Sequence, residues 1–187
     1  MDQRDLVERA RKGDHDAFAV LLRGVVIRLD AAARLILRDR ELAQDAVQDA
    51  MVRAWRDLPS LRDPDKFDAW VRQLTVHACI DVVRKRRRRT IEVELDPLDL
   101  LPVADMTRAI AQRDLVERAL SVLEPEWRAV VVLHFYLGMP LHEVAGTLGI
   151  PVGTAKSRLH RSLVALRASV DSSRGEALSE LREGQLA

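Results

Sequence analysis

The chain has 187 residues, 48% of them hydrophobic and 32% charged, with a formal net charge of +1. Leu, Ile, Val and Phe supply 57 residues, too many for a disordered chain, and few aromatics beside abundant Leu, Ala and Arg favour helix over strand. One cysteine excludes a disulfide framework, no uncharged stretch reaches the roughly 18 residues of a membrane span, and no apolar run follows a basic start, so a soluble cytoplasmic protein without membrane insertion is expected.

The small net charge hides a partition. Residues 1–89 carry 20 basic and 15 acidic side chains, whereas 90–107 carry five acids (Glu92, Glu94, Asp96, Asp99, Asp105) and no base. Residues 108–187 carry 10 bases and 9 acids, yet within them 151–167 has four bases and no acid. Charge segregated in this way points to polyanion binding at separate places with an acidic spacer between them. Pro97 and Pro102 mark the spacer as a linker. Two small helical domains are therefore expected, 1–89 and 108–168, joined by the acidic linker 90–107 and followed by a polar tail, 169–187.

In chain order, Gly13 breaks a short amphipathic stretch and Asp14 can cap a helix over 18–37. A third helix is expected over 40–58, with Val47, Met51, Ala54, Trp55 and Leu58 on one side. Loop 59–65 follows, with two prolines and the charges Arg62, Asp63 and Asp65. A fourth helix starts near Lys66, turns Phe67, Trp70, Val71, Leu74 and Ala78 inward, and ends in the basic run 84–89. That run reads as a DNA-backbone patch, since six like charges repel unless an anion neutralises them. Trp55, Phe67 and Trp70 read as core, and Cys79 as a buried thiol.

In the second block, helices are expected over 115–123, 125–136, 141–148 and 152–168, the second opened by Pro125. Only Gly149, Ile150 and Pro151 separate the last two, a spacing that fits a helix-turn-helix. Val152, Ala155, Leu159, Leu163 and Leu166 form the inward stripe of the final helix. The opposite face holds Thr154, Ser157 and Arg161, flanked by Lys156, Arg158 and His160. A second helix of this kind enters the major groove, where Arg161 can read guanine and the flanking charges meet phosphates.

The run from Gly149 to Arg161 (GIPVGTAKSRLHR) resembles the promoter-reading helix-turn-helix of extracytoplasmic-function (ECF) sigma factors of the sigma-70 superfamily. Asp45-Ala46-Val47-Gln48-Asp49-Ala50, with Arg53-Ala54-Trp55, resembles that family's polymerase-gripping helix. Phe67-Asp68-Ala69-Trp70-Val71-Arg72, with Asp81 and Arg84, resembles its minus-10-reading helix. The resemblance spans residues 5–168. It implies an all-α subunit that binds core RNA polymerase, recognises minus-35 and minus-10 elements, opens DNA and starts transcription. It also implies an anti-sigma partner and no catalytic residues or cofactor.

By resemblance, Asp45, Gln48 and Asp49 meet polymerase. Thr154, Lys156, Ser157, Arg158, His160 and Arg161 meet the minus-35 element, and Arg62, Lys66, Arg72, His77, Arg84 and Lys85 the minus-10 element. His77 stands where the family often has Asn, and Pro151 where it often has a Ser cap. Asp45 and Asp49 are also spaced to share one helix face as metal ligands do, but the sequence places no third ligand near them, so no metal is expected. A free-standing helix-turn-helix regulator is the alternative in class; it needs neither the acidic linker nor the Asp45–Asp49 face. An enzyme finds no support, for no phosphate loop, nucleophile–base pair or metal set is recognisable.

Overall fold

A computed structural model describes residues 2–92, 116 and 118–183, with side chains placed for 2–88, 116 and 118–170. The linker from residue 93 onward, the start of the second block apart from Val116, and the side chains of the tail beyond Val170 lie outside the described residues.

The first half is four helices whose ends follow from a few polar residues. Helix α1 (Gln3–Arg11) stops at Gly13, which takes φ +92°. The amides of Gly13 and Asp14 donate back to the carbonyls of Ala10 (3.0 Å) and Arg9 (3.2 Å), the paired bonds of a Schellman closure. Asp14 then caps α2 (His15–Leu37), its carboxylate accepting from the Ala17 amide at 2.9 Å. The helix therefore begins three residues ahead of the expected 18, because a capping side chain sets the first turn before the apolar stripe becomes legible. Arg38 ends α2 in the left-handed region, φ +53°, although it is not glycine. Asp39 caps α3 (Arg40–Asp57) by accepting from the Leu42 amide at 3.0 Å. The proline-rich loop folds into two short 3-10 turns, Leu58–Ser60 and Pro64–Lys66. Helix α4 (Phe67–Glu92) carries the basic run on a continuous helix.

Leu6, Val7, Phe18, Leu58, Phe67 and Val71 build an aromatic-centred core at one end of this half. Phe67 is fully buried and meets Phe18 edge-on at 6.2 Å, while Trp55 and Trp70 pack at its margin, partly exposed. Such rings bury 150–250 Å² each in general, which makes this cluster the main apolar anchor of the first half.

In the second half, helical residues 118–121 precede α5 (Pro125–Val131), opened by proline at its first position. The expected helix 125–136 keeps α geometry only to Val131. Val132–Tyr136 widen into a π turn, with the Leu137 amide reaching five residues back to the Val132 carbonyl at 3.1 Å. The loosened turn lets the chain reverse at Gly138, φ +69°. Helix α6 (Leu141–Leu148) follows within the expected bounds. Helix α7 (Val152–Glu183) continues well past the expected 168.

The halves are packed together. One apolar core contains Ile36 and Leu37 of α2, Val76, Ile80 and Val83 of α4, and Val130, Leu133, Met139, Val144 and Leu148 of the second half.

Candidate nucleic-acid and polymerase interfaces

The helix-turn-helix is built by a tight chain reversal. Gly149 adopts φ +64°, and the amides of Gly149 and Ile150 return to the carbonyls of Gly146 (3.2 Å) and Ala145 (3.0 Å). A second Schellman closure thus ends α6, and its left-handed residue is the one type that enters that region at little cost. Pro151 starts the next turn, its carbonyl accepting from the Ala155 amide at 3.1 Å. A proline before the helix is compatible because the first amides have no intrahelical acceptor.

On α7 the inward stripe is real but begins one turn later than the sequence implies. Ala155 is fully buried and Leu159, Leu163 and Leu166 are half-buried, while Val152 is exposed. Lys156, Ser157, His160 and Arg161 are exposed, and Thr154 and Arg158 half-buried. The Ser157 hydroxyl donates to the Thr154 carbonyl at 3.0 Å, leaving its oxygen open as an acceptor. Arg161 lies with its guanidinium 5.9 Å from the centre of the Trp127 ring. Sequence reading missed Trp127; the only signal was an aromatic two residues into the helix that Pro125 opens.

The second group of site residues lies on α4 and the loop before it. Arg62, Lys66, Arg84 and Lys85 are exposed. A cleft of about 490 Å³ beside Trp70 is lined by Arg62, Lys66, Arg72 and Gln73, and α6 closes its other wall with Glu143 and Thr147. Arg72 stands 3.9 Å from Glu143, and its buried Nε has no hydrogen-bond partner. His77 is half-buried, its Nε2 at 3.0 Å from the Thr147 carbonyl. Arg72 and His77 are thus drawn against the second half, whereas Arg62, Lys66, Arg84 and Lys85 face solvent. Farther along, Arg86 pairs with Asp39 (3.0 Å) and Arg87 with Glu126 (3.2 Å).

The third group is clean in its geometry. Asp45, Gln48 and Asp49 are all exposed on α3, while Ala46, Val47 and Ala50 beneath them are buried. The Asp49 carboxylate meets Arg53 at 2.6 Å, one turn on. Among the described residues no three His, Cys, Asp or Glu side chains gather as metal ligands would, and no helix is long and apolar enough to cross a membrane. Burial pushes the Cys79 thiol up to about 12.

Two titratable groups stand apart from these faces. Asp14 is held below the usual carboxylate range by the Ala17 amide first and the Arg9 guanidinium second. Arg128 is 6% exposed, its Nε donating to the Ile36 carbonyl at 2.8 Å; burial, and then neighbouring Arg38, push it down to about 10.

This arrangement matches known proteins along most of its length. Residues 21–89 match the family described as Sigma-70 region 2, and residues 113–166 that described as Sigma-70, region 4. The chain is 38% identical over 151 residues to the ECF RNA polymerase sigma factor SigM of Mycobacterium tuberculosis, covering 80% of this chain and 75% of that one. It is 35% identical over 136 residues to the RNA polymerase sigma-E factor of Streptomyces coelicolor, covering 73% and 76%. Among solved structures it resembles CnrH in complex with the cytosolic domain of CnrY, with a TM-score of 0.63, 29% identity, and 91% and 99% of the two chains covered. The sigma factor RpoE bound to the anti-sigma factor NepR from Bartonella quintana shares the fold, with a TM-score of 0.64 at 24% identity over 82% and 96%. The exposed basic face of a helix-turn-helix and the acidic face of α3 stand in the two segments that match sigma regions 4 and 2, and the chain belongs to the ECF group of the sigma-70 family of RNA polymerase sigma factors.

Proposed function

We propose that this chain joins core RNA polymerase through the Asp45–Gln48–Asp49 face and directs it to promoters with two sets of basic residues. Thr154, Lys156, Ser157, Arg158, His160 and Arg161 take the minus-35 element, with Arg161 in the groove and Lys156 on a phosphate. Arg62, Lys66, Arg72, His77, Arg84 and Lys85 take the minus-10 element, and the turns before α4 receive the opened strand beside Trp70. Residues 1–89 and 108–168 act as the two DNA-binding units, with 90–107 as an acidic spacer whose charge imitates RNA in a basic polymerase channel. The chain works in the cytoplasm, carries out no catalysis itself, and is restrained by an anti-sigma partner.

The observation that carries this reading is the exposed first half of α7. It presents Lys156, Ser157, His160 and Arg161 to solvent on a helix that holds four bases and no acid between 151 and 167. A positive groove-sized helix face is the electrostatic footprint of duplex recognition. In-vitro transcription with core polymerase on a genomic library tests it. Initiation from a defined set of promoters that share two spaced elements supports the reading, and no initiation above core alone refutes it. Binding of the chain to promoter DNA with full strength in the absence of polymerase would favour the free-standing regulator instead.

A further inference from the structure

Helix α1 lies ahead of the segment that matches sigma region 2, residues 21–89, and none of the faces described above uses it. Three of its side chains nevertheless reach 50 to 61 positions along the chain, to the loop before α4. The Gln3 Nε2 donates to the Pro64 carbonyl at 3.0 Å. The Arg4 Nε donates to one Asp65 carboxylate oxygen at 2.8 Å, and its Nη2 meets the other. From the far end of α1, the Arg11 Nη2 donates to the Leu61 carbonyl.

The loop has little to hold this shape by itself. It consists of two 3-10 turns of three residues each, a geometry with poor internal hydrogen bonds, and between them Leu61 and Asp63 are extended. Leu58 and Leu61 pack in one core with Leu6 and Val7 of α1. Such non-directional packing fixes where the loop lies but not how its backbone is turned. The polar contacts set the turn, because the carbonyls that α1 holds, Leu61 and Pro64, stand on either side of Arg62. Arg62 is exposed and lines, with Lys66 and Trp70, the cleft of about 490 Å³, whose described lining includes no residue of α1. Helix α1 thus grips one side of the loop and leaves the other to a ligand. Arg11 holds its place at a cost, since its Nε is buried without a partner and an unmade buried hydrogen bond destabilises. Packing alone would favour an apolar side chain there, whereas the Leu61 carbonyl needs a donor.

We propose that Gln3, Arg4 and Arg11 are positioning residues for minus-10 recognition: α1 holds the loop backbone around Arg62 so that Arg62 and Lys66 meet the opened strand in one geometry. The inference rests on the assignment of this loop to the opened minus-10 strand, made above. A loop ordered in advance pays no ordering cost when the strand arrives. A loop released from α1 holds the productive geometry in only a fraction of molecules, and apparent affinity for the strand falls by that fraction. Base preference falls with it, because a wandering Arg62 meets each base with similar poor geometry.

The full chain with core polymerase, on a promoter library randomised at the minus-10 element, tests this, with strand opening read by permanganate reactivity. Gln3→Ala combined with Arg11→Ala should lower opening about tenfold and flatten minus-10 base preference. Polymerase affinity and minus-35 preference should stay as in the unmodified chain, and Arg11→Lys, which keeps a donor, should restore most of the loss. Arg4 and Asp65 are both exposed, so a charge swap there leaves the core untouched. Arg4→Asp alone should blur the minus-10 profile, and Arg4→Asp with Asp65→Arg should sharpen it again. An unchanged minus-10 profile in the Gln3–Arg11 variant would overturn the proposal, as would equal losses of polymerase affinity, minus-35 preference and opening. If that variant melts early, the swap decides, and no recovery in the swapped chain overturns the proposal. Full opening and unchanged base preference in Arg62→Ala with Lys66→Ala would instead overturn the assignment of the loop to the minus-10 strand. Failure of the unmodified chain to direct transcription would overturn the sigma-factor reading beneath both.

Discussion

Arg161 and Trp127 form a cation–π pair across the second half, the guanidinium 5.9 Å from the ring centre. The pair is at the surface, where such contacts contribute about 0.5–1 kcal/mol. That is enough to order the long side chain and too little to hold it against a base edge, where a bidentate contact discriminates by about 1–3 kcal/mol. Trp127 thus orders the side chain of the proposed reading residue without fixing it.

Arg161→Ala should lower affinity for a preferred minus-35 duplex by about 1–3 kcal/mol and relax preference at one base position. Lys156→Ala should weaken all sequences alike and reduce the salt slope of binding by about one. Binding to a randomised duplex library at two salt concentrations separates the two, and an unchanged selectivity profile for Arg161→Ala would remove that residue from the groove.

Asp49→Arg reverses charge on the exposed face of α3 while Ala46, Val47 and Ala50 beneath it stay packed. The Asp49–Arg53 pair that it removes is an exposed one and contributes a few tenths of a kcal/mol, about what i,i+4 surface pairs measure. Core-polymerase affinity should collapse with almost no change in melting temperature. Early melting with intact polymerase binding would make Asp49 structural.

Acid stability should depend on Asp14. Its carboxylate is held below the ordinary value by the Ala17 amide and Arg9, and Asp65 is likewise held down by Arg4. A lowered folded-state value means the stabilisation is present above the ordinary carboxylate range and is lost as pH falls through the folded one. Asp14→Asn keeps a capping oxygen and should flatten the fall in melting temperature between neutral and acid pH. Asp14→Ala should lose the cap as well and melt lower at every pH. Melting curves across that range check both; identical acid slopes for Asp14→Asn and the unmodified chain would rule out the linkage.

Cys79 is fully buried, and its thiol is pushed up to about 12 by burial. Because the thiolate is the reactive form, a disulfide reagent should leave the folded chain untouched at neutral pH and react with one equivalent after denaturation. Rapid reaction in the native state would mean that α4 opens readily around this residue.

Much of the site was legible in one dimension because its logic is local. Asp14, Gly13 and Gly149 announce helix ends through their own backbone preferences. The period-3.6 apolar stripe of α3 places Val47, Ala54 and Leu58 inside and leaves Asp45, Gln48 and Asp49 outside, and the structure keeps those faces where the stripe puts them. The bounds of α6 follow from Pro140 and Gly149 alone. What failed were features whose cause is distant or soft. The π turn at Val132–Tyr136 shares its composition with an ordinary helix, and Val152 sits at the right phase for burial while the facing elements leave it exposed.

Helicity, the charge-segregated organisation and the identity of the basic and acidic faces were determined by the sequence, since each depends on residues within a few turns of one another. Only the tertiary structure decided that Arg128 would end on the Ile36 carbonyl, 92 positions away, and that His77 and Arg72 would turn toward α6. Such pairings depend on which apolar surfaces find each other once the helices exist, and burial is non-directional, so no local pattern encodes the partner.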